Sequence, residues 1–192
     1  ISGVKTGYFL ANDQYSFFFN QCTSISGKEN DFVEQLMQQQ PDLFADGKSV
    51  HEFKYIIVPG IGVEASYSGI GSQVKGKIAL VKRGENTFEE KVRLAKKYGA
   101  IAIIIYNNVE GEIFMTVSAE GHIPAASVSK DVGAQLVSMA NKGVGTIKIS
   151  DQFVAGPFMS NFSSWGPTPS LALKPEITAH GGDILSSIPG GE

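Results

Sequence analysis

Apolar residues fall along this chain in two rhythms, and both are densest between residues 50 and 150. Residues 55–58 and 77–81 are short runs rich in β-branched side chains and bounded by glycine or proline, which predicts buried strands. The rhythm then turns helical, with Phe88, Val92, Ala95 and Tyr98 in one stripe. Thr87 and Glu90 have capping-box spacing, in which the hydroxyl accepts from the Glu90 amide while Glu90 reaches back. Gly99 supplies a left-handed stop. Residues 101–106 are continuously apolar, as in a strand buried on both faces. Strand, helix of about twelve residues and strand together predict a right-handed βαβ crossover with parallel strands.

A second unit repeats the outline. Residues 125–128 read as a strand, Ser129 as an N-cap, and Val132, Leu136 and Ala140 as the helical stripe. Gly143 is expected to stop that helix, and residues 146–149 to form the returning strand. The fold class is mixed α/β, and an antiparallel layer of strands is expected to cover the far face of the sheet. Upstream, Tyr15, Phe17, Phe18 and Phe19 make an aromatic cluster, and residues 31–40 suit a helix with Phe32, Val33, Leu36 and Met37 on a shared face. Pro41 is placed to end it.

The pattern fails after residue 158. Gly166-Pro167, Lys174-Pro175, Gly181-Gly182 and Pro189-Gly190-Gly191 break up any core-forming period. This stretch would be a poor domain alone and reads as part of something larger. Three zones are therefore expected: a connecting segment and domain start over 1–47, a domain core over 48–157, and a fragment of another domain over 158–192.

Composition removes several function classes. The net charge is −3 over 192 residues, and half of the 16 basic residues lie between Lys75 and Lys97, mixed with Glu85, Glu89 and Glu90. That mixture is a solvated helix face and not a nucleic-acid patch. No apolar run reaches membrane-spanning length, so membrane insertion is not expected. Cys22 is the single cysteine, which leaves no internal disulfide and no cysteine-based zinc site. His51, His122 and His180 are far apart in sequence and share no metal-ligand spacing, so neither a metal nor another cofactor is expected. Gly60-Ile61-Gly62 lacks a following phosphate-binding helix and reads as a turn.

Ordered blocks in the middle zone carry a family resemblance. Lys75-Gly76-Lys77-Ile78-Ala79-Leu80-Val81-Lys82-Arg83-Gly84, then Thr87-Phe88 with the helix to Gly99-Ala100, then Ile103-Ile104-Ile105-Tyr106-Asn107-Asn108, resembles the protease-associated (PA) domain. Ile123-Pro124-Ala125-Ala126-Ser127-Val128-Ser129 is similar to that domain's second half. The resemblance implies a swivelling β/β/α fold with βαβ units. The tail, Asn161-Phe162-Ser163-Ser164-Trp165-Gly166-Pro167-Thr168 and Leu173 through Ser187, resembles the stretch before the nucleophile of subtilisin-like serine proteases. The nearest likeness is to cell-envelope proteases of Gram-positive bacteria, of the lactocepin and C5a-peptidase type. There a PA domain is inserted between the catalytic histidine and serine. His180 departs from the family, which usually has proline at that place.

That resemblance sets the functional expectations. The family's catalytic aspartate and histidine would precede Ile1, and its Gly-Thr-Ser block would follow Glu192, so no catalytic residue is expected in this chain. The implied partners are protein or peptide substrates of the parent protease and the remainder of its catalytic domain. Self-association through a protease-facing surface stays open, and the implied location is extracellular or at the cell wall. The same module in a sorting receptor or a zinc aminopeptidase is the alternative, but such hosts would not supply the tail motifs. Asn107, Asn108, Glu110 and Gly111 leave the carboxyl end of a buried strand, where layered α/β structures place ligands. The same residues also suit a simple turn. Phe162 matches a family aromatic bordering the substrate cleft, or else belongs to the core of the parent catalytic domain.

Overall fold

The computed structural model describes residues 9–11, 16–18, 20–24, 29–30, 32–111, 113, 115–117, 122–150, 166–167 and 173–174. The chain divides into two compact units, Thr6–Val154 and a second made of Ile1–Lys5 with Ala155–Glu192. In the first unit the described residues form one mixed sheet. Its strands in chain order are β1 (Phe9–Ala11), β2 (Ser16–Phe18), β3 (Asn20–Ser24), β4 (Glu29–Asn30), β5 (Val50–Ile57), β6 (Ile78–Lys82), β7 (Ala102–Tyr106), β8 (Thr116–Val117), β9 (Ala125–Val128) and β10 (Val144–Ser150). Across the sheet they run β2-β1-β10-β5-β6-β7-β9-β3-β4, with β8 paired to β3. Strands β5, β6, β7 and β9 are parallel. Strands β10, β1 and β2 on one flank, and β3 and β4 on the other, continue the sheet by antiparallel pairing.

Residue chemistry follows this order. At the centre, β6, β7 and β9 are buried almost throughout, as apolar runs covered on both faces should be. Strands β5 and β10 alternate, with Phe53, Tyr55, Ile147 and Ile149 buried between more exposed neighbours. Among the described residues five α-helices accompany the strands: α1 (Phe32–Gln39), α2 (Glu64–Tyr67), α3 (Gly71–Val74), α4 (Phe88–Lys97) and α5 (Lys130–Met139). Ile78 and Leu80 point into a core with α1 and α5, whereas Ala79 and Val81 point into one with α2, α3 and α4. Helices thus cover both faces of the centre. The antiparallel strands expected over the far face are bonded into the same sheet as its flanks, and it is α1 and α5 that pack on that face.

Local signals decide where α4 begins and ends. Thr87 is extended, and its hydroxyl accepts from the Glu90 amide at 3.1 Å. At the other end Gly99, at φ +83°, donates to the Lys96 carbonyl, and Ala100 donates to that of Ala95. This pair of bonds is a Schellman stop, which needs the left-handed residue between helix and exit. Phe88 and Tyr98 flank the fully buried Val92 and Ala95 against one core, as the stripe predicts. The helix is two residues shorter than expected.

Three expectations are corrected. Met37 does not join the buried face of α1 and stays 38% exposed, because it lies one step round the helix from Leu36. Gly143 does not stop α5, which ends at Met139. It completes a two-residue turn between Asn141 and Val144, with Lys142 at φ 52° and Gly143 at φ 79°. The strand after that turn does not return beside β9. β10 pairs antiparallel with β5 along its whole length, so β5, β6 and β7 stand between it and β9.

The second unit's described residues are β11 (Gly166–Pro167) and β12 (Leu173–Lys174), an antiparallel pair. Phe162 lies outside the described residues.

Candidate functional site

Parallel strands deliver their exits side by side. Lys82 of β6 is in register with Tyr106 of β7, so Arg83 and Asn107 leave neighbouring strands together. Ladder-like bonding runs one residue further: Arg83 N–H donates to the Tyr106 carbonyl at 2.9 Å, and Asn107 N–H to that of Val128 at 3.1 Å. Both residues are therefore placed by backbone before their side chains do anything.

Asn107 is buried, at 1% exposure, and both ends of its side-chain amide are bonded. Its Nδ2 donates to the Gly111 carbonyl at 2.9 Å. Its Oδ1 accepts from the Asn108 amide at 3.0 Å and from Arg83 Nη1 at 3.2 Å. An asparagine accepting from the next backbone amides is a turn-forming device. Here it shapes residues 107–111 and orients the arginine. Asn108 and Val109 are exposed, and with Arg83, Gly84 and Glu85 they line a shallow depression of about 340 Å³. Of the two asparagines, Asn108 meets the solvent and Asn107 holds the loop from within. Glu110, on the same loop, is exposed and ion-paired with Lys130 of α5 at 2.7 Å.

The charges around the depression are unevenly matched. Arg83 is half-buried, and among the described residues its guanidinium has one bonded partner, the neutral Asn107 oxygen. Glu85 is exposed and pairs with no described cation. The loop carrying both is tied to the β5–α2 loop through Lys91 of α4, which is fully buried. Lys91 Nζ donates to the Ile61 carbonyl and to Asn86 Oδ1, and Asn86 Nδ2 donates to the Gly62 carbonyl at 3.3 Å. Its bonded partners are neutral, and burial pulls its pKa from 10.5 down to about 8, with Glu90 acting weakly in the other direction.

Neither of the described histidines lines the depression. His51 Nδ1 faces Asp46 at 3.5 Å with its ring against Phe44, and His122 Nε2 meets Glu89 at 3.1 Å. Among the described residues no group of three or more His, Cys, Asp or Glu could hold a metal ion. The strand exits bring a cation, a carboxylate and an apolar edge around one shallow hollow. Sequence reading singled out Asn107 and Asn108 at this end and did not single out Arg83, Glu85 or Lys91, which the fold brings beside them. Aligning the ends of the two predicted parallel strands would have placed residue 83 beside residue 107.

Comparison with known proteins now adds relatives to this geometry. The PA domain profile matches residues 26–136. A C5a peptidase of Streptococcus pyogenes is 39% identical over 118 residues, 60% of this chain and 10% of that protein. The minor extracellular protease Vpr of Bacillus subtilis is 36% identical over 137 residues, 70% of this chain and 17% of that protein. This chain thus matches less than a fifth of each relative's length. Among solved structures, a zinc aminopeptidase from Bacillus subtilis aligns with a TM-score of 0.51 at 20% identity, covering 75% of this chain and 30% of that one. At that identity the likeness is one of fold.

Proposed function

We propose, from the premise that this chain belongs to the PA domain family, that it is a non-catalytic module of a secreted subtilisin-like serine endopeptidase and helps to choose its protein substrates. The observation carrying this reading is the end of the parallel sheet. There Arg83, Glu85, Asn108 and Val109 line a shallow, open hollow on a unit with its own two-sided core. Two proteases among the relatives, one of them extracellular by name, support the host. The tail motifs around Phe162 support a subtilisin-like catalytic domain as the owner of residues 158–192. In this reading Asn108, with Asn107 behind it, touches substrate on the module, while Phe162 borders the cleft. The location is outside the cell or at the wall of a Gram-positive bacterium.

A module of this kind acts through access and remote contact. Contacts far from the scissile bond alter capture of large substrates, and a short peptide never reaches them. Replacing residues 48–157 of the parent protease by a short linker should leave hydrolysis of a short chromogenic peptide within a few-fold of normal. Cleavage of a protein substrate should change in rate or site. Proportional loss of both activities in a folded variant would refute the reading, because the module would then be supporting the active site itself. The chain alone should also resist labelling by a fluorophosphonate, and a labelled serine would place catalysis within it.

A further inference from the structure

We infer that the hollow at the strand exits is a carboxylate-recognising subsite, with Arg83 as its anchor and Glu85 as a wall that rejects multiply acidic segments. The inference rests on the reading of this end as a substrate-contact face and names the chemistry that it selects. Three observations carry it. Arg83 is half-buried, and the one group bonded to its guanidinium among the described residues is a neutral amide oxygen. An arginine in that state favours an incoming anion, and its planar fork suits a carboxylate in two-point contact. Its orientation is prepaid, because Asn107 holds Nη1 and is itself locked by the Gly111 carbonyl and the Asn108 amide. A side chain that is already fixed loses little freedom on binding.

The surroundings narrow the occupant. Val109 is 52% exposed and lines the same hollow, which gives an aliphatic stem a surface to lie on. The carboxylate of Glu110, next along the loop from Val109, is ion-paired with Lys130 at 2.7 Å. Glu85 also lines the hollow and bonds to no described cation, so a second negative charge on the ligand would meet repulsion there. An isolated acidic residue, or a chain carboxyl terminus, on an otherwise neutral or basic segment fits both walls.

The test uses the whole chain and amide proton–nitrogen correlation spectra. Acetyl-Ala-Ala-Asp-Ala-Ala-amide is titrated against its Asn counterpart, against acetylated pentaalanine with a free carboxyl terminus, and against succinate. The Asp peptide should shift the Gly84, Asn108 and Val109 amides, and the Asn peptide should bind about ten-fold more weakly or worse, as expected for loss of a charge-assisted bond. The free-terminus peptide matching the Asp peptide would show that chain ends are accepted as well as side chains, and its matching the Asn peptide would confine recognition to side chains; both support the subsite. Arg83→Gln should abolish the preference for Asp over Asn, and Glu85→Gln should strengthen the Asp peptide and admit an Asp-Asp version. The spectra report folding of each variant directly. Equal binding of Asp and Asn peptides, succinate binding as well as the Asp peptide, or an unchanged preference in a folded Arg83→Gln protein would overturn the inference. None of those results would bear on the module-replacement experiment, so the two readings fail separately.

Discussion

Replacing Lys91 by methionine separates two costs that coincide at one atom. In the wild-type protein the ammonium is fully buried against the Ile61 carbonyl and Asn86 Oδ1. Its pKa is 10.5 when unfolded and about 8 when folded. Below pH 8 both states are protonated and the folded state bears the whole cost of burying the charge, roughly 3 kcal/mol at about 1.36 kcal/mol per pKa unit. Between pH 8 and 10.5 the unfolded chain binds more protons than the folded one, so stability rises with pH and this cost is relieved. Lys91→Met removes the charge at every pH but leaves two carbonyl oxygens without their donor, at about 1–3 kcal/mol each. Near pH 7 the two effects offset, and the variant should lie within ~2 kcal/mol of wild type. By pH 10.5 wild type should have gained roughly 3 kcal/mol on the variant. Urea denaturation of both proteins from pH 7 to 10.5 measures the difference. Tyr55, whose pKa burial pushes up to about 12, and Tyr67 and Tyr106, also raised by burial, are common to both and cancel. A difference that stayed flat across that range would show that Lys91 is not a desolvated cation in the folded protein.

Two further substitutions test the packing that frames the site. Thr87→Ala should lower stability by about 1 kcal/mol through loss of the α4 cap, while Thr87→Ser should keep most of it; equal denaturation midpoints for wild type and Thr87→Ala would deny the cap its role. Gly133→Ala should destabilise although alanine favours helices by about 1 kcal/mol, because its Cβ would stand 2.3 Å from Cβ of Tyr106 on β7. A loss of about 1–3 kcal/mol is the usual cost of such overpacking, and a raised thermal midpoint would mean that α5 can lift off the sheet cheaply.

The parallel centre was legible because its evidence is local. Residues 78–82, 102–106 and 125–128 are too apolar for any element with a wet face, and each is bounded by a glycine, proline or cap. The chain's return was not legible. Thr146, Lys148 and Ser150 alternate with Gly145, Ile147 and Ile149 in a pattern that suits any strand with one wet face. Periodicity specifies which face is buried and says nothing about the neighbour. That choice was made by the turn at Lys142-Gly143 and by pairing with β5, some 90 residues upstream in a sense that no window of sequence contains.

Side-chain employment was the other hidden quantity. Asn107 and Asn108 look alike in sequence, yet one is spent inside the loop and the other faces solvent. The basic stretch from Lys75 to Lys97 read as a solvated face, which holds for the exposed Arg93, Lys96 and Lys97 and fails for Lys91. Lys91 sits three residues after Phe88 and four before Ala95, on the helix's apolar side, so its stem had to be buried and its amine had to find acceptors. It found them in two loops, and in doing so it braces the segment that carries Arg83. The same register that brings residue 83 beside residue 107 leaves Arg83 with an oriented charge and a neutral partner. Lys91 is buried and donates to two acceptors from neighbouring loops. Arg83 is half-buried and, among the described residues, is bonded to a neutral oxygen alone, which is why an arriving carboxylate is the proposed occupant of the hollow.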